Sequence, residues 1–171
     1  MFREVNLPAD VRGRLFLHGL PARAEKWADF VAAVNAHGVG RIVSLVEAWE
    51  IAQRSPEYAQ AIRRGELPCA RVSFPVPDFG VPTDRAAFAA LAREIAEGLR
   101  AGERVLVHCM AGVGRSGMFA ACVLTALGTC AEDALRAVRA AGSGPEEAEQ
   151  LALVTWCAER FRGQRAGGHS D

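Results

Sequence analysis

Along the chain, short apolar runs alternate with stretches whose apolar positions recur every three or four residues. GRLFLHGL (13–20) reads as one or two short strands, broken by Gly19-Leu20-Pro21. Residues 24–37 carry Trp27, Phe30, Val31 and Val34 at helical spacing and end at Gly38. RIVSLVE (41–47) is a β-branched apolar run, hence a strand. Residues 48–66 are mixed, with Ser55-Pro56 expected to start a short helix through Tyr58 and Ile62. CARVSFPV (69–76) reads as a strand and the Pro/Gly-rich PDFGVPT (77–83) as a loop. Thr83 is expected to cap a helix that shows Phe88, Leu91, Ile95 and Leu99 on one face. RVLVH (104–108) has consecutive apolar residues, the mark of a central parallel strand covered on both faces. GRSGMFAACVLTALG (114–128) reads as an apolar helix. Thr129-x-x-Glu132 predicts a capping box for a helix over about 130–141, and a last helix follows GSGP (142–145) to about Phe161.

This alternation predicts an α/β fold, with a central, mostly parallel sheet of four to five strands flanked by helices on both faces. The 171 residues fit one domain, expected over 1–162, with 163–171 a polar, disordered tail. Lys+Arg and Asp+Glu are both 20, so no overall field points to nucleic acid or an anionic membrane. The N-terminal MFREVNLPAD lacks a secretion signal's apolar core. Cys69, Cys109, Cys122, Cys130 and Cys157 are odd in number and widely spaced, which suits neither a disulfide framework nor a zinc site. A cytoplasmic monomer with no membrane or nucleic-acid partner is the expectation.

The chemistry concentrates in VHCMAGVGRS (107–116). A strand, a glycine-containing loop and a helix N-terminus make an anion cradle, because the first helical amides lack intrahelical partners and the dipole favours negative charge there. Gly112 and Gly114 would allow backbone angles forbidden to other residues. Arg115 adds a planar fork of donors for two phosphoryl oxygens. Cys109 would sit where these groups converge, its thiolate stabilised and placed for in-line attack on phosphorus. Met110, Ala111, Gly112, Val113, Gly114 and Arg115 would bind the phosphate. Ser116 would donate a hydrogen bond to the sulfur, and His108 would hold the loop through backbone carbonyls.

HCMAGVGRS matches the His-Cys-x-x-Gly-x-x-Arg-Ser/Thr signature of the cysteine-dependent protein tyrosine phosphatase superfamily, and the chain's length resembles its small, atypical dual-specificity branch. The resemblance covers about residues 13–160. It implies a dual-specificity-phosphatase-like fold, a phosphorylated protein as substrate, a phosphocysteine intermediate, and neither cofactor nor metal. A general acid is also needed, and Asp78 in PVPDFGVP resembles the family's loop aspartate. SLVE (44–47) resembles a strand end that would place Glu47 at the pocket rim. GPEEAEQ (144–150) resembles a segment whose glutamine, Gln150, helps place water; Gly142-Ser143 stands where the family has Arg-Pro. None of Met110, Ala111, Val113 and Gly114 is basic, which argues against inositol phosphates. The expectation is phosphotyrosine, with phosphoserine and phosphothreonine also admitted; the rival reading is a catalytically weak phosphoprotein-binding module. Cys69 is a candidate to approach and protect Cys109 under oxidation.

Overall fold

The computed structural model of the chain describes residues 1–167. Five strands form one sheet: β1 (Arg3–Val5), β2 (Arg14–His18), β3 (Arg41–Ser44), β4 (Ala70–Ser73) and β5 (Arg104–His108), in the order β1-β2-β5-β3-β4. β1 is antiparallel to β2; every other pairing is parallel. The expected mostly parallel α/β fold is therefore present.

β5 lies at the centre, and its neighbouring side chains go to opposite faces, as strand geometry requires. Val105 and Val107 join Leu15, Leu17 and Val43 in the larger core, beneath the helices α4 (Arg85–Ala101), α5 (Gly114–Ala126), α6 (Ala131–Ala140) and α7 (Ala148–Gly167). Leu106 joins Phe16 and Ile42 in the smaller core under α1 (Trp27–His37). Both faces are covered, which is why the strand reads as an unbroken apolar run. α5 is buried along its whole length, so its sequence is apolar all round rather than amphipathic.

Several boundaries differ from expectation for local reasons. β1 carries no apolar pattern; it exists because Arg3, Glu4 and Val5 pair with Leu17, Phe16 and Leu15 on the exposed edge of β2. Residues 48–64 form two helices, α2 (Ala48–Arg54) and α3 (Pro56–Arg64). Asp84, not Thr83, caps α4 by accepting the Ala87 N–H at 2.9 Å. α6 is preceded by Cys130 as N-cap and has no side-chain cap, so Thr129 and Glu132 do not form the expected box. The last helix runs six residues past Phe161, with Gln164 accepting a hydrogen bond from Arg93 of α4 at 3.1 Å. The tail expected at 163–171 is thus helical as far as Gly167, and 168–171 lie outside the described residues. No helix among the described residues is long and apolar enough to cross a membrane.

The register sets His18, Ser44 and His108 side by side at the C-terminal ends of β2, β3 and β5. The loops leaving these strands share one edge of the sheet, the place where open α/β sheets bind ligands. Gly117 fixes how closely the next layer approaches that edge. A Cβ there would stand 2.2 Å from the backbone nitrogen of Gly144, so only glycine lets the 142–147 connection lie on α5. Gly117→Ala is expected to cost about 2 kcal/mol or more, because such overlap moves backbone rather than a flexible side chain. Denaturant midpoints check this, and an unchanged midpoint would mean that the two segments do not rest on each other.

Candidate active site

Cys109 follows β5 directly and is 3% exposed, at the floor of the loop that leads into α5. The Gly112 N–H donates to its Sγ at 3.2 Å. Gly112 has φ +73°, and this inversion curls the loop around the sulfur. Gly114 keeps an ordinary negative φ, contrary to expectation. Its bare Cα instead makes room for the Glu146 carboxylate, which would lie 2.2 Å from a Cβ. α5 starts at Gly114 with no side-chain cap, so its first amides stay free for an anion.

The loop's carbonyls are held outward by three separate segments. The oxygen of Met110 accepts from the Leu20 N–H at 3.0 Å and from Arg23 at 3.3 Å. That of Gly112 accepts from Arg3 of β1 and from Ser143 Oγ at 3.1 Å, and that of Val113 accepts from Ser143 Oγ at 2.8 Å. Each outward carbonyl fixes a peptide plane and, with it, the opposite direction of the N–H of the next residue. Gly142-Ser143, the pair that departs from the family pattern, is therefore a brace for this loop.

Arg115 is 1% exposed and meets Glu50 of α2 end-on, Nη1 to Oε2 at 2.8 Å and Nη2 to Oε1 at 2.9 Å. Nη1 also donates to the Val76 carbonyl at 3.0 Å. The other edge of the guanidinium is Nε with Nη2. There Nε has no hydrogen-bond partner among the described residues, while Nη2 lies 3.1 Å from Asp78 Oδ1. Burial disfavours the charge on Arg115, but the bonds to Glu50 and the negative charge at Cys109, Glu50 and Asp78 outweigh it and raise the pKa. For Glu50, burial pushes the carboxyl up; the bonds from Arg115 and the Glu47 N–H outweigh this and hold it below the usual carboxylate range. Glu50 has no motif around it in the sequence. The only signal for it was the Glu47-x-x-Glu50 spacing, in which Glu50 reaches back to the Glu47 N–H at 2.8 Å.

His108 is fully buried, and burial pushes its pKa down to about 3. The ring is therefore neutral near pH 7. Its Nε2 lies 3.1 Å from Tyr58 Oη and its Nδ1 3.4 Å from the Cys109 carbonyl. Arg71 donates to the Tyr58 oxygen at 3.0 Å, which turns the phenol proton towards Nε2. One tautomer then satisfies both contacts: Nδ1–H donates to Cys109 and Nε2 accepts from Tyr58. The expected carbonyl-holding role of His108 has this geometry, with Tyr58 and Arg71 behind it as residues that the sequence did not mark. Ser116 Oγ is buried without a hydrogen-bond partner among the described residues, so the expected bond to the Cys109 sulfur is not made in this state.

Asp78 stands in a turn closed by the Gly80 N–H on the Pro77 carbonyl at 2.9 Å, with Phe79 at φ +57°. Gln150 is buried. Its Oε1 accepts the Glu146 N–H at 2.9 Å, and its Nε2 donates to the Gly80 carbonyl at 3.0 Å. In this state it ties α7 to the Asp78 loop. Glu47, expected at the pocket rim, is the N-cap residue of α2 and accepts from Trp49 Nε1 at 2.9 Å, while Glu50, which the sequence did not mark, stands beside Arg115. Cys69 precedes β4 at the opposite end of the strands and packs into the smaller core, with burial raising its thiol to about 11. Roughly four to five residues of strand rise, at about 3.3 Å each, separate it from the level of Cys109, so it does not guard that sulfur. His18 pairs with Glu25 at 3.1 Å.

The fold has clear relatives among solved structures. No curated protein matches the sequence. Among solved structures, kinase associated phosphatase, with serine in place of its catalytic cysteine, superposes with a TM-score of 0.79 at 18% identity over 95% of this chain and 96% of that one. Tk-PTP in its active form gives 0.68 at 28% identity, covering 89% and 98%. A human tyrosine phosphatase-like serine/threonine/tyrosine-interacting protein gives 0.65 at 19% identity, covering 95% and 97%. The family model PTP-SAK matches residues 13–155, which include Cys109, Arg115, Asp78 and Glu50. The chain thus belongs to the family that this model describes, the Swiss Army Knife protein, DSP-PTPase phosphatase domain.

Proposed function

We propose that the protein hydrolyses phosphomonoesters through a phosphocysteine intermediate, with phosphotyrosine in proteins as the main substrate and phosphoserine or phosphothreonine as lesser ones. One observation supports this reading above the others. Two buried donors without partners among the described residues, Arg115 Nε and Ser116 Oγ, lie in the first turn of α5, directly after the loop around Cys109. Buried donors are almost always satisfied, so two orphans side by side there are suited to an incoming anion and to the sulfur that would attack it.

The phosphate would rest on the loop amides and on the Nε–Nη2 edge of Arg115, since Glu50 holds the other end of the guanidinium. Asp78 is at that same edge, and an arriving phosphate would displace it from Nη2 towards the ester oxygen. The Cys109 thiolate attacks phosphorus. The S–P bond forms as the P–O ester bond breaks, and Asp78 gives its proton to the departing oxygen. Water then attacks phosphorus, its proton passes to Asp78, and the S–P bond breaks to return the thiolate and phosphate. Arg115 and the amides stabilise the equatorial oxygens in both steps. The Ser116 hydroxyl would turn to the sulfur as it leaves. Phe79, beside Asp78, and Trp49, beside Glu50, are 58% and 61% exposed, and offer apolar surface to an aromatic phosphorylated side chain.

Hydrolysis of para-nitrophenyl phosphate near pH 6 with EDTA present is the direct test. Wild type is expected to turn over and Cys109→Ser to be inactive. An inert, folded wild type that still binds phosphopeptides would favour the binding-module reading instead. Asp78→Asn is expected to lower turnover of phosphotyrosine about a hundredfold or more, but that of para-nitrophenyl phosphate much less, because its leaving group needs little protonation. Equal losses on both substrates would assign the acid elsewhere. Glu50→Gln removes one partner of a buried ion pair, and is expected to cost about 3 kcal/mol of stability. It is also expected to reduce kcat/KM at least about tenfold by freeing the guanidinium. Chemical unfolding and steady-state rates check both effects.

A further inference from the structure

We propose that Arg3 is a positioning residue of the phosphate cradle, one that β1 carries to the back of the Cys109 loop. This rests on the phosphatase reading and adds to it a residue far from the signature. β1 is three residues long and holds its place by pairing Arg3 with Leu17 and Val5 with Leu15. From there the half-buried Arg3 side chain reaches two carbonyls: Nη2 donates to Gly112 and Nη1 to Gly142. One guanidinium thus ties the loop at its inversion to the connection between α6 and α7, beside the Ser143 hydroxyl that holds Gly112 from the same side.

Gly112 is where this contact acts. With φ +73° its peptide plane is the point at which the loop turns, and its N–H is the one that reaches the Cys109 sulfur. Holding its carbonyl outward fixes the following plane, which carries the Val113 N–H towards the cradle. A cation on that carbonyl also polarises the amide and strengthens its donation to a bound anion. Arg3 shares with the His18 carbonyl the space that a side chain at Gly112 would need, the two lying 2.6 and 2.5 Å from a Cβ there. Its charge is not cancelled locally. Among the described residues Arg3 has no ion pair, whereas the next residue, Glu4, is matched by Arg14 at 2.6 Å. The field of Arg3 therefore falls on the cradle, where a dianion would sit.

The test compares Arg3→Met with Glu4→Gln, which breaks the Glu4–Arg14 pair on the same strand and leaves the cradle alone. Inhibition by inorganic phosphate is measured with kcat and KM for para-nitrophenyl phosphate. Arg3→Met is expected to weaken phosphate inhibition and to lower kcat/KM about tenfold to a hundredfold, as small misplacements of binding groups do. Glu4→Gln is expected to leave both near wild type. Should Arg3→Met not fold, Arg3→Lys is scored the same way, since one ammonium cannot hold both carbonyls in the guanidinium geometry. Values within twofold of wild type would overturn the proposal. So would equal losses in Glu4→Gln, which would place the effect in the strand. An active wild type with an indifferent Arg3 variant defeats this inference alone, whereas a wild type that neither hydrolyses the ester nor binds phosphate defeats the phosphatase reading with it.

Discussion

The site depends first on a buried ion pair. Arg115 and Glu50 are both nearly inaccessible, and they meet through two hydrogen bonds of 2.8 and 2.9 Å. Isolating a guanidinium at that depth would cost several kcal/mol, so its charge is tolerable only with the carboxylate in place. Two ends of one group are thereby separated. The Nη1–Nη2 end belongs to the fold, and on the proposed mechanism the Nε–Nη2 edge belongs to the ligand. On that mechanism, a single charged side chain can then bind an anion without first breaking its own support, and α2 supports the site through Glu50.

The loop around Cys109 has a complementary logic. Its amides must converge on one point, which no regular secondary structure achieves, and convergent amides force the carbonyls outward. Those carbonyls are satisfied by Leu20 and Arg23 after β2, by Arg3 on β1, and by Ser143 between α6 and α7. His108 adds a fourth hold from inside the sheet, and its neutrality matters. A charged imidazole in that place would need an anion that the core does not hold, and burial keeps its pKa at about 3. The preorganisation that electrostatic catalysis requires is thus distributed over elements far apart in the chain.

That distribution explains what the sequence made legible. Cys109, Gly112, Arg115 and Ser116 were readable because the cradle needs them contiguous, between an apolar strand and a helix. Asp78 was readable from its Pro-rich loop. Glu50 was not: it stands 65 residues from Arg115, among 20 acidic residues, and a helix start that the sequence did not reveal turns it inward. Tyr58 looked like one more apolar position of a short helix, and Arg3 like part of a polar N-terminus. The β1 strand could not be read at all, because three residues without alternation become a strand only through a partner. Cys69 failed for a different reason. Cysteine count and oxidation chemistry carry no information about which end of a strand a residue occupies.

The Asp78 loop combines firm and weak attachments. Gln150 holds Gly80 from a buried position, and the Pro77–Gly80 turn closes on itself. Phe79 sits at φ +57°, a conformation that costs a non-glycine residue about 1–2 kcal/mol, and its ring is largely exposed, so little burial offsets this. The Asp78–Arg115 contact is buried on the arginine side and half-exposed on the aspartate side, so water can compete for the carboxylate. The loop is therefore pinned near Gly80 and held at Asp78 by a single charge contact, one residue before a strained position. On the proposed mechanism, Asp78 must leave the guanidinium when phosphate arrives and still stay within reach of the ester oxygen. A firm hinge beside a single, half-exposed charge contact meets both requirements, because the contact that has to break is not the one that pins the loop.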